Sequence, residues 1–351
     1  MSSAADTPPI VILAPGRLGD IVTAEPIFRR AHEEEPQREV VLVTRPAFCS
    51  VMRACPYIAR ILVRDTKEEV RRAASEFPPG TRFLCVNCAP PENAGPPPAA
   101  ATPPSPPETR CARLAGINPS LLNRFQAANG MPYSDEAAVF YLDESVEDPA
   151  GLPDEYLVFH CCSGGKSRQW QPEKFRALAE CCFRRGVGVV EIGFGAVMKC
   201  DDPLYRPFCG DHDLHQVAKV IRGARALVGV ESGMLHIANA FRVPGFVVTG
   251  ALRGDLYYNY YCGMYRKPER VNFLRYYGLS APELPVEPAS YALERFLDGD
   301  PMSPEECDLF FLKYQLDEHR LSWHGRFFEA LRTPWRRMRD AWIFSHRPRA
   351  R

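Results

Sequence analysis

Short apolar runs alternate with helical stretches along most of this chain, and that alternation constrains the fold more than any other feature. Ile10–Ala14, Val40–Thr44, the run opening at Arg60–Val63 and Arg82–Val86 each read as a short buried strand. The stretches 20–34 and 67–77 between them predict helices. Strand, helix, strand in that order predicts a parallel sheet with right-handed crossovers. The order restarts after residue 155, with strands over 156–161, 187–192, 226–230 and 246–249. Helices are expected over 172–185, 213–223 and 233–241. Pro172 suits a first helical turn, and Leu214, Val217, Val220 and Ile221 share one face. The acidic stretch 143–155, with Pro149, Gly151 and Pro153, reads as a linker. The expected fold class is therefore α/β, with two parallel-sheet domains in tandem over 1–150 and 151–300, and a helical region over 301–351.

A chain of 351 residues with 46% hydrophobic and 25% charged residues can form two real cores. Its 43 basic residues balance its 43 acidic ones, which argues against a nucleic-acid coat. No run of 18 uncharged apolar residues is present, and residues 1–9 lack the pattern of a signal peptide. The 13 cysteines, an odd number scattered singly or in adjacent pairs, fit small buried hydrophobes in a reducing cytosol. Cys85 and Cys88 form one CxxC without the second pair a zinc site needs. Residues 89–109 hold nine of the 34 prolines and predict a long loop, either an inert insertion or a lid.

Three segments can carry chemistry, and each follows a strand. Gly16, Arg17, Gly19 and Asp20 follow the first, where glycines let backbone approach a ligand and Asp20 is either a catalytic carboxylate or a helix cap. The spacing is not a GxGxxG fingerprint. Ser163, Lys166 and Arg168 lie in a small basic loop, either a phosphate clamp or a solvated turn. Its Gly-Lys-Ser is a false P-loop, since His160 stands where that motif begins with glycine. Glu231, Ser232, Gly233 and His236 open a helix whose free N–H groups suit an anion. Ser232 also reads as an N-cap, and His236 as a packed histidine. Asp211-His212-Asp213 matches a DxD metal motif but reads as the cap of the next helix. Taken together, the three segments place a carboxylate on one α/β domain and a phosphate-binding edge on the other, across a cleft.

With these motifs the chain resembles glycosyltransferase family 9, the ADP-heptose:lipopolysaccharide heptosyltransferases. Three stretches match in the family's order. They are Arg17–Asp20 followed by Pro26, the run from Ser163 through Arg168-Gln169-Trp170-Gln171-Pro172-Glu173, and Leu214 through Gly250. The resemblance implies a GT-B fold, two Rossmann-like domains with the nucleotide-sugar on the second. It implies Asp20 as catalytic base, Arg168 against the diphosphate, Ser163, Ser232 and Gly233 at the donor phosphates, and His236 as the family's recurrent histidine. Glu231 stands where the family has aspartate, and nothing over 193–202 is a clean match for the acid near the ribose, although Asp201 and Asp202 lie there.

The implied activity is inverting transfer of a heptose-like sugar from an ADP-linked donor, without metal or cofactor. The acceptor would be a saccharide or lipid-linked glycan such as lipopolysaccharide core. A nucleotide-sugar-binding protein without turnover, and a nicotinamide oxidoreductase, are the alternatives. The expected location is cytoplasmic. Tyrosines at 257, 258, 260, 261, 265, 276 and 277 could stack on sugars or fill the interior. Residues 332–351 carry seven arginines and one acid beside Trp335 and Trp342, which suits an anionic membrane surface or a solvated tail.

Overall fold

The computed structural model describes residues 7–89, 91, 120–162, 164, 168–249, 261–265, 271–274 and 280–318. Two all-parallel sheets dominate. The first contains β1 (Ile10–Ala14), β2 (Val40–Thr44), β3 (Arg60–Val63) and β4 (Arg82–Cys85) in the order β3-β2-β1-β4. The second contains β5 (Tyr156–His160), β6 (Gly188–Gly193), β7 (Tyr205–Cys209), β8 (Leu227–Val230), β9 (Gly245–Val248) and β10 (Val271–Leu274). Its order is β10-β9-β8-β5-β6-β7, the arrangement of a doubly wound nucleotide-binding sheet. The expected strands are found within a residue or two of their ranges. β7 and β10 were not anticipated, because β7 (Tyr-Arg-Pro-Phe-Cys) carries a proline and two exposed positions at the sheet edge and β10 is only four residues long.

Alternation along each strand builds three cores. Ile10, Ile12 and Ala14 of β1, with Tyr156 and Val158 of β5, enter a core shared by both sheets. Val11 and Leu13 face an outer core under the first sheet, and Leu157 and Phe159 face one under the second. Burial on both faces explains why the strands read as unbroken apolar runs.

The helix expected over 20–34 is two: α1 (Leu18–Thr23) and α2 (Glu25–Glu34). Pro26 lacks the N–H that would bond back to Val22, so the first helix stops and a new one begins with proline in its first turn. The other helices are α3 (Lys67–Arg72), α4 (Leu121–Ala128), α5 (Pro172–Phe183), α6 (Leu214–Gly223), α7 (Gly233–Ala240), α8 (Val286–Leu297) and α9 (Pro304–Glu318). In α9, Cys307 and Phe311 sit in the outer core of the second sheet, so up to Glu318 the C-terminal segment stays on that unit. Among the described residues no helix is long and apolar enough to cross a membrane. Residues 92–109 of the proline-rich segment and the basic end 332–351 lie outside the described residues.

A polar joint ties the units together. Arg53, just past the 3-10 turn Pro46–Met52, forks onto both Asp213 oxygens (2.7 and 2.9 Å) and reaches Asp143 (3.0 Å). Asp213 also caps α6 by accepting from the His215 N–H (2.7 Å). His215 accepts from the Asp143 N–H at Nδ1 (3.0 Å) and meets the Ser50 carbonyl at Nε2 (2.8 Å). The second aspartate of the DxD-like triplet is therefore engaged structurally, as a cap and an ion-pair partner, while Asp211 is exposed and His212 stacks on Phe208 at 3.9 Å.

Candidate active site

In an open parallel sheet the crevice lies where strand order reverses, outside the carboxyl ends. In the first sheet that point lies between β1 and β4, and in the second between β5 and β8. The sequence-predicted residues fall at both points.

At the first, Asp20 occupies the third position of α1, 7% exposed. Its Oδ2 accepts from the Arg17 backbone N–H (2.7 Å) and from Asn87 Nδ2 (3.1 Å). Asp20 is thus both a helix-end acceptor and a carboxylate at the crevice; the two readings are not exclusive. Among the described residues no cation lies within ion-pairing distance of it. A Cβ at Gly16 would collide with the Asp20 carboxylate, so only glycine leaves the acid room there. Asn87 follows β4 with φ of 59°, a left-handed conformation that asparagine tolerates better than most residues. Sequence reading missed Asn87; the available signal was an amide residue just past the strand that borders β1.

At the second, Glu231 is 6% exposed and forms an ion pair with Arg168. The extra methylene relative to aspartate lengthens the reach of Glu231 toward that guanidinium. Ser232 stands at the N-cap of α7 without a side-chain cap bond; its Oγ instead meets His160 Nδ1 at 3.0 Å. Burial pushes the His160 imidazole down to about 4, so it is neutral at pH 7. Arg168 is followed by an anchor: Trp170 is fully buried, donates to the Leu284 carbonyl (2.9 Å) and meets Phe175 edge-on. Gln169 donates to the Cys161 carbonyl (2.7 Å), closing the loop back onto β5. Ser163 and Lys166 lie outside the described residues. In the 193–202 segment, Asp202 caps the Leu204 N–H and Asp201 is exposed. The buried acid of that region is Glu191, which holds the Val197 N–H (2.8 Å) and the Tyr205 hydroxyl.

The two crevices adjoin through α1 and α7. A Cβ at Gly19 would stand 2.6 Å from His236 Cδ2, and one at Gly233 would stand 2.7 Å from Leu18 Cδ2. Thr23 Oγ1 meets His236 Nδ1 at 2.8 Å. His236 is 4% exposed, lies 5.0 Å from the Tyr261 ring, and burial pushes its imidazole down to about 4. It packs at the contact between the units. The Arg17 side chain extends across, with Nη1 at 3.8 Å from the Cβ position of Gly164. Of the seven tyrosines read either as stacking platforms or as interior packing, Tyr261 and Tyr265 are fully buried in the shared core; the other five lie outside the described residues. Among the described residues no cluster of three His, Cys, Asp or Glu is placed to hold a metal.

Two comparisons bear on what such a pair of crevices is. In structure, the chain is similar to a family 9 glycosyl transferase from Veillonella parvula (TM-score 0.55, 14% identity, covering 90% of this chain and 97% of that one). It is similar to E. coli heptosyltransferase WaaC with ADP-2-deoxy-2-fluoro heptose (TM-score 0.57, 13% identity, 83% and 99% covered). It is also similar to TibC, a bacterial iron-containing dodecameric glycosyltransferase from enterotoxigenic E. coli H10407 (TM-score 0.52, 14% identity, 89% and 79% covered). The fold is thus the two-domain glycosyltransferase fold, GT-B, as the resemblance implied. Within the chain, residues 125–250 match the model of glycosyltransferase family 9 (heptosyltransferase). No curated protein matches the chain by sequence.

Proposed function

We propose that this protein is an inverting glycosyltransferase that moves a heptose-like sugar from an ADP-linked donor to a saccharide or lipid-linked glycan, with Asp20 as general base. The observation that carries the reading is the environment of Asp20: a buried carboxylate at the switch point, held among the described residues by neutral donors and facing a second switch point that carries Arg168 and the N-terminus of α7. The domains run over 1–150 and 151–300, with the acceptor on the first and the donor on the second. The structural likeness to E. coli WaaC, solved with ADP-2-deoxy-2-fluoro heptose, supports the donor class.

In the reaction, Asp20 takes the proton of an acceptor hydroxyl as that oxygen attacks the anomeric carbon. The bond from the anomeric carbon to the diphosphate breaks on the opposite face, and the configuration inverts. Negative charge grows on the departing diphosphate. Arg168, Lys166, the Ser163 and Ser232 hydroxyls, and the N–H groups opening α7 at Gly233 are the groups to stabilise it. Glu231 keeps Arg168 in place but reduces its net charge, so the backbone dipole and Lys166 carry more of that load. Asp213 is engaged as a helix cap and by Arg53, which favours a reaction without a DxD-bound metal. Gly16, Arg17 and Gly19 shape the acceptor side.

A panel of ADP-, UDP- and GDP-linked sugars tested by thermal shift and then by donor consumption checks the reading. The ADP-linked heptose should give the largest stabilisation and should turn over. Asp20→Asn should retain the shift and lose turnover; full activity in that variant would exclude Asp20 as the base. Donor binding without turnover across acceptors would favour a binding protein.

A further inference from the structure

Cys85 ends β4, and Cys88 follows the turn after it. In an extended strand, residues three apart point to opposite faces. Leu84 and Val86 face the shared core, while Cys85 faces the outer core under the first sheet. The left-handed backbone at Asn87 turns the chain back, so Cys88 packs on that same outer core. Among the described residues no cluster of His, Cys, Asp or Glu makes this pair part of a metal site.

Both are free thiols, and the Cys85 thiol hydrogen-bonds to Cys88. Cys88 Sγ in turn donates to the Leu13 carbonyl (3.5 Å). The bond from Cys85 holds the Cys88 thiol below its ordinary range, and the charge of Arg71 on α3 adds to that effect. The same bond, together with burial, pushes the Cys85 thiol up. Burial likewise raises the thiols of Cys55, Cys161, Cys182 and Cys209, so Cys88 differs from them in sign. Cys88 is half-buried and Cys85 is fully buried. An outer sulfur that deprotonates readily and an inner sulfur in contact with it are the two parts of a dithiol couple.

The strand side of the pair is fixed. The Asn129 side chain accepts from the Cys85 N–H (2.7 Å) and donates to the Cys85 carbonyl (3.0 Å). Val86 is fully buried and donates its N–H to the Leu13 carbonyl (2.9 Å). Drawing the two sulfurs from hydrogen-bond contact into a covalent bond is therefore absorbed at Asn87 and Cys88. Asn87 is the residue whose amide donates to Asp20 Oδ2 (3.1 Å).

We infer that Cys85 and Cys88 are a redox-active dithiol, oxidised by a low-molecular-weight disulfide to an intramolecular disulfide, and that Asn87 between them carries the change to Asp20. The Cys88 thiolate attacks one sulfur of the small disulfide, and one small thiolate leaves and takes up a proton. The Cys85 thiol gives up its proton and attacks the Cys88 sulfur of this mixed disulfide, and the second small thiolate leaves. Two protein thiols lose two electrons, and one small disulfide is reduced to two thiols. The effect on Asp20 rests on its reading as the general base; the disulfide itself does not.

The test is incubation of the full chain with excess oxidised glutathione, alkylation of the remaining thiols, and mass spectrometry after trypsin. Cleavage at Arg82 and Arg110 leaves Cys85 and Cys88 as the only cysteines of peptide 83–110. That peptide should become lighter by two hydrogens and refuse the alkylating agent, and dithiothreitol should reverse both changes. Cys85→Ser should stop at a mixed disulfide of glutathione on Cys88. Cys88→Ser should take up glutathione on Cys85 at least about ten-fold more slowly. In the transfer assay, oxidation should lower kcat about ten-fold, the loss expected from freeing Asp20 of one amide donor. Cys88→Ser should keep the basal rate and not respond to the oxidant. Full alkylation of peptide 83–110 in the unaltered protein would overturn the inference, whether or not the variants fold. A disulfide that forms without changing kcat, or an equal fall in kcat in Cys88→Ser, would overturn the link to Asp20. If no donor turns over, the mass of peptide 83–110 still decides the dithiol, and the transferase reading fails alone.

Discussion

The two switch points each present one buried carboxylate, and the two carboxylates are treated oppositely. Asp20 receives one backbone N–H and one side-chain amide, both neutral. Glu231 receives a guanidinium. A carboxylate held by neutral donors keeps its charge and can accept a proton from a substrate; one matched to a cation has its charge committed and serves chiefly to hold that cation. Equal burial and equivalent topology thus give one carboxylate held by neutral donors and one matched to a cation; in the proposed reaction the first is the base and the second holds Arg168 in position. The difference comes from what the neighbouring strand supplies: Asn87 after β4 in the first case, Arg168 after β5 in the second.

The comparison is best broken by substituting the two acids in parallel. Asp20→Asn should lower the transfer rate by about a thousand-fold, with donor affinity and melting temperature nearly unchanged. Glu231→Gln should act the other way round. It leaves Arg168 half-matched and should cost about 1–3 kcal/mol of stability, read by denaturant unfolding, with a weaker donor KM and a smaller loss in kcat. If the two variants gave the same profile, the division of roles would be wrong.

Smaller effects sharpen it. Asn87→Gly keeps the left-handed backbone but removes the amide that orients Asp20; about a ten-fold loss in kcat is expected without a fall in melting temperature. His160 meets Ser232 and His236 lies on the helix that Ser232 opens, and burial holds both near 4, below their unfolded value. The unfolded chain therefore binds more protons between about pH 6.5 and 4, and stability should be full above that window and fall as pH drops through it. Melting temperatures measured from pH 8 to 4 should show the decline. His236→Asn should flatten part of it, and an unchanged slope would remove His236 from the account.

Much of this was legible in the residues. Strand ends could be located because strands buried on both faces are continuous apolar runs, and Asp20, Arg168 and Glu231 could be singled out because they follow such runs. The role of Asp213 as a cap was also readable from its position ahead of an amphipathic helix. Asn87 was not, since nothing local marks it. It meets Asp20 from 67 positions away in the chain. The tyrosines after 256 left stacking platforms and interior packing both open, and Tyr261 and Tyr265 fill the shared core. Tyr265 could do so because its hydroxyl finds the Val243 carbonyl at 2.8 Å.

By itself the sequence determined the α/β alternation, the two units and the three loops at the carboxyl ends, because backbone periodicity and side-chain burial are local properties of each run. Strand order was not local. Only the tertiary structure decided that β4 lies beside β1 and β8 beside β5, which creates the two crevices. It also decided which carboxylate meets amides and which meets arginine. Those pairings depend on crossovers that bring distant residues to one edge, where the cost of burying a charge selects the partner.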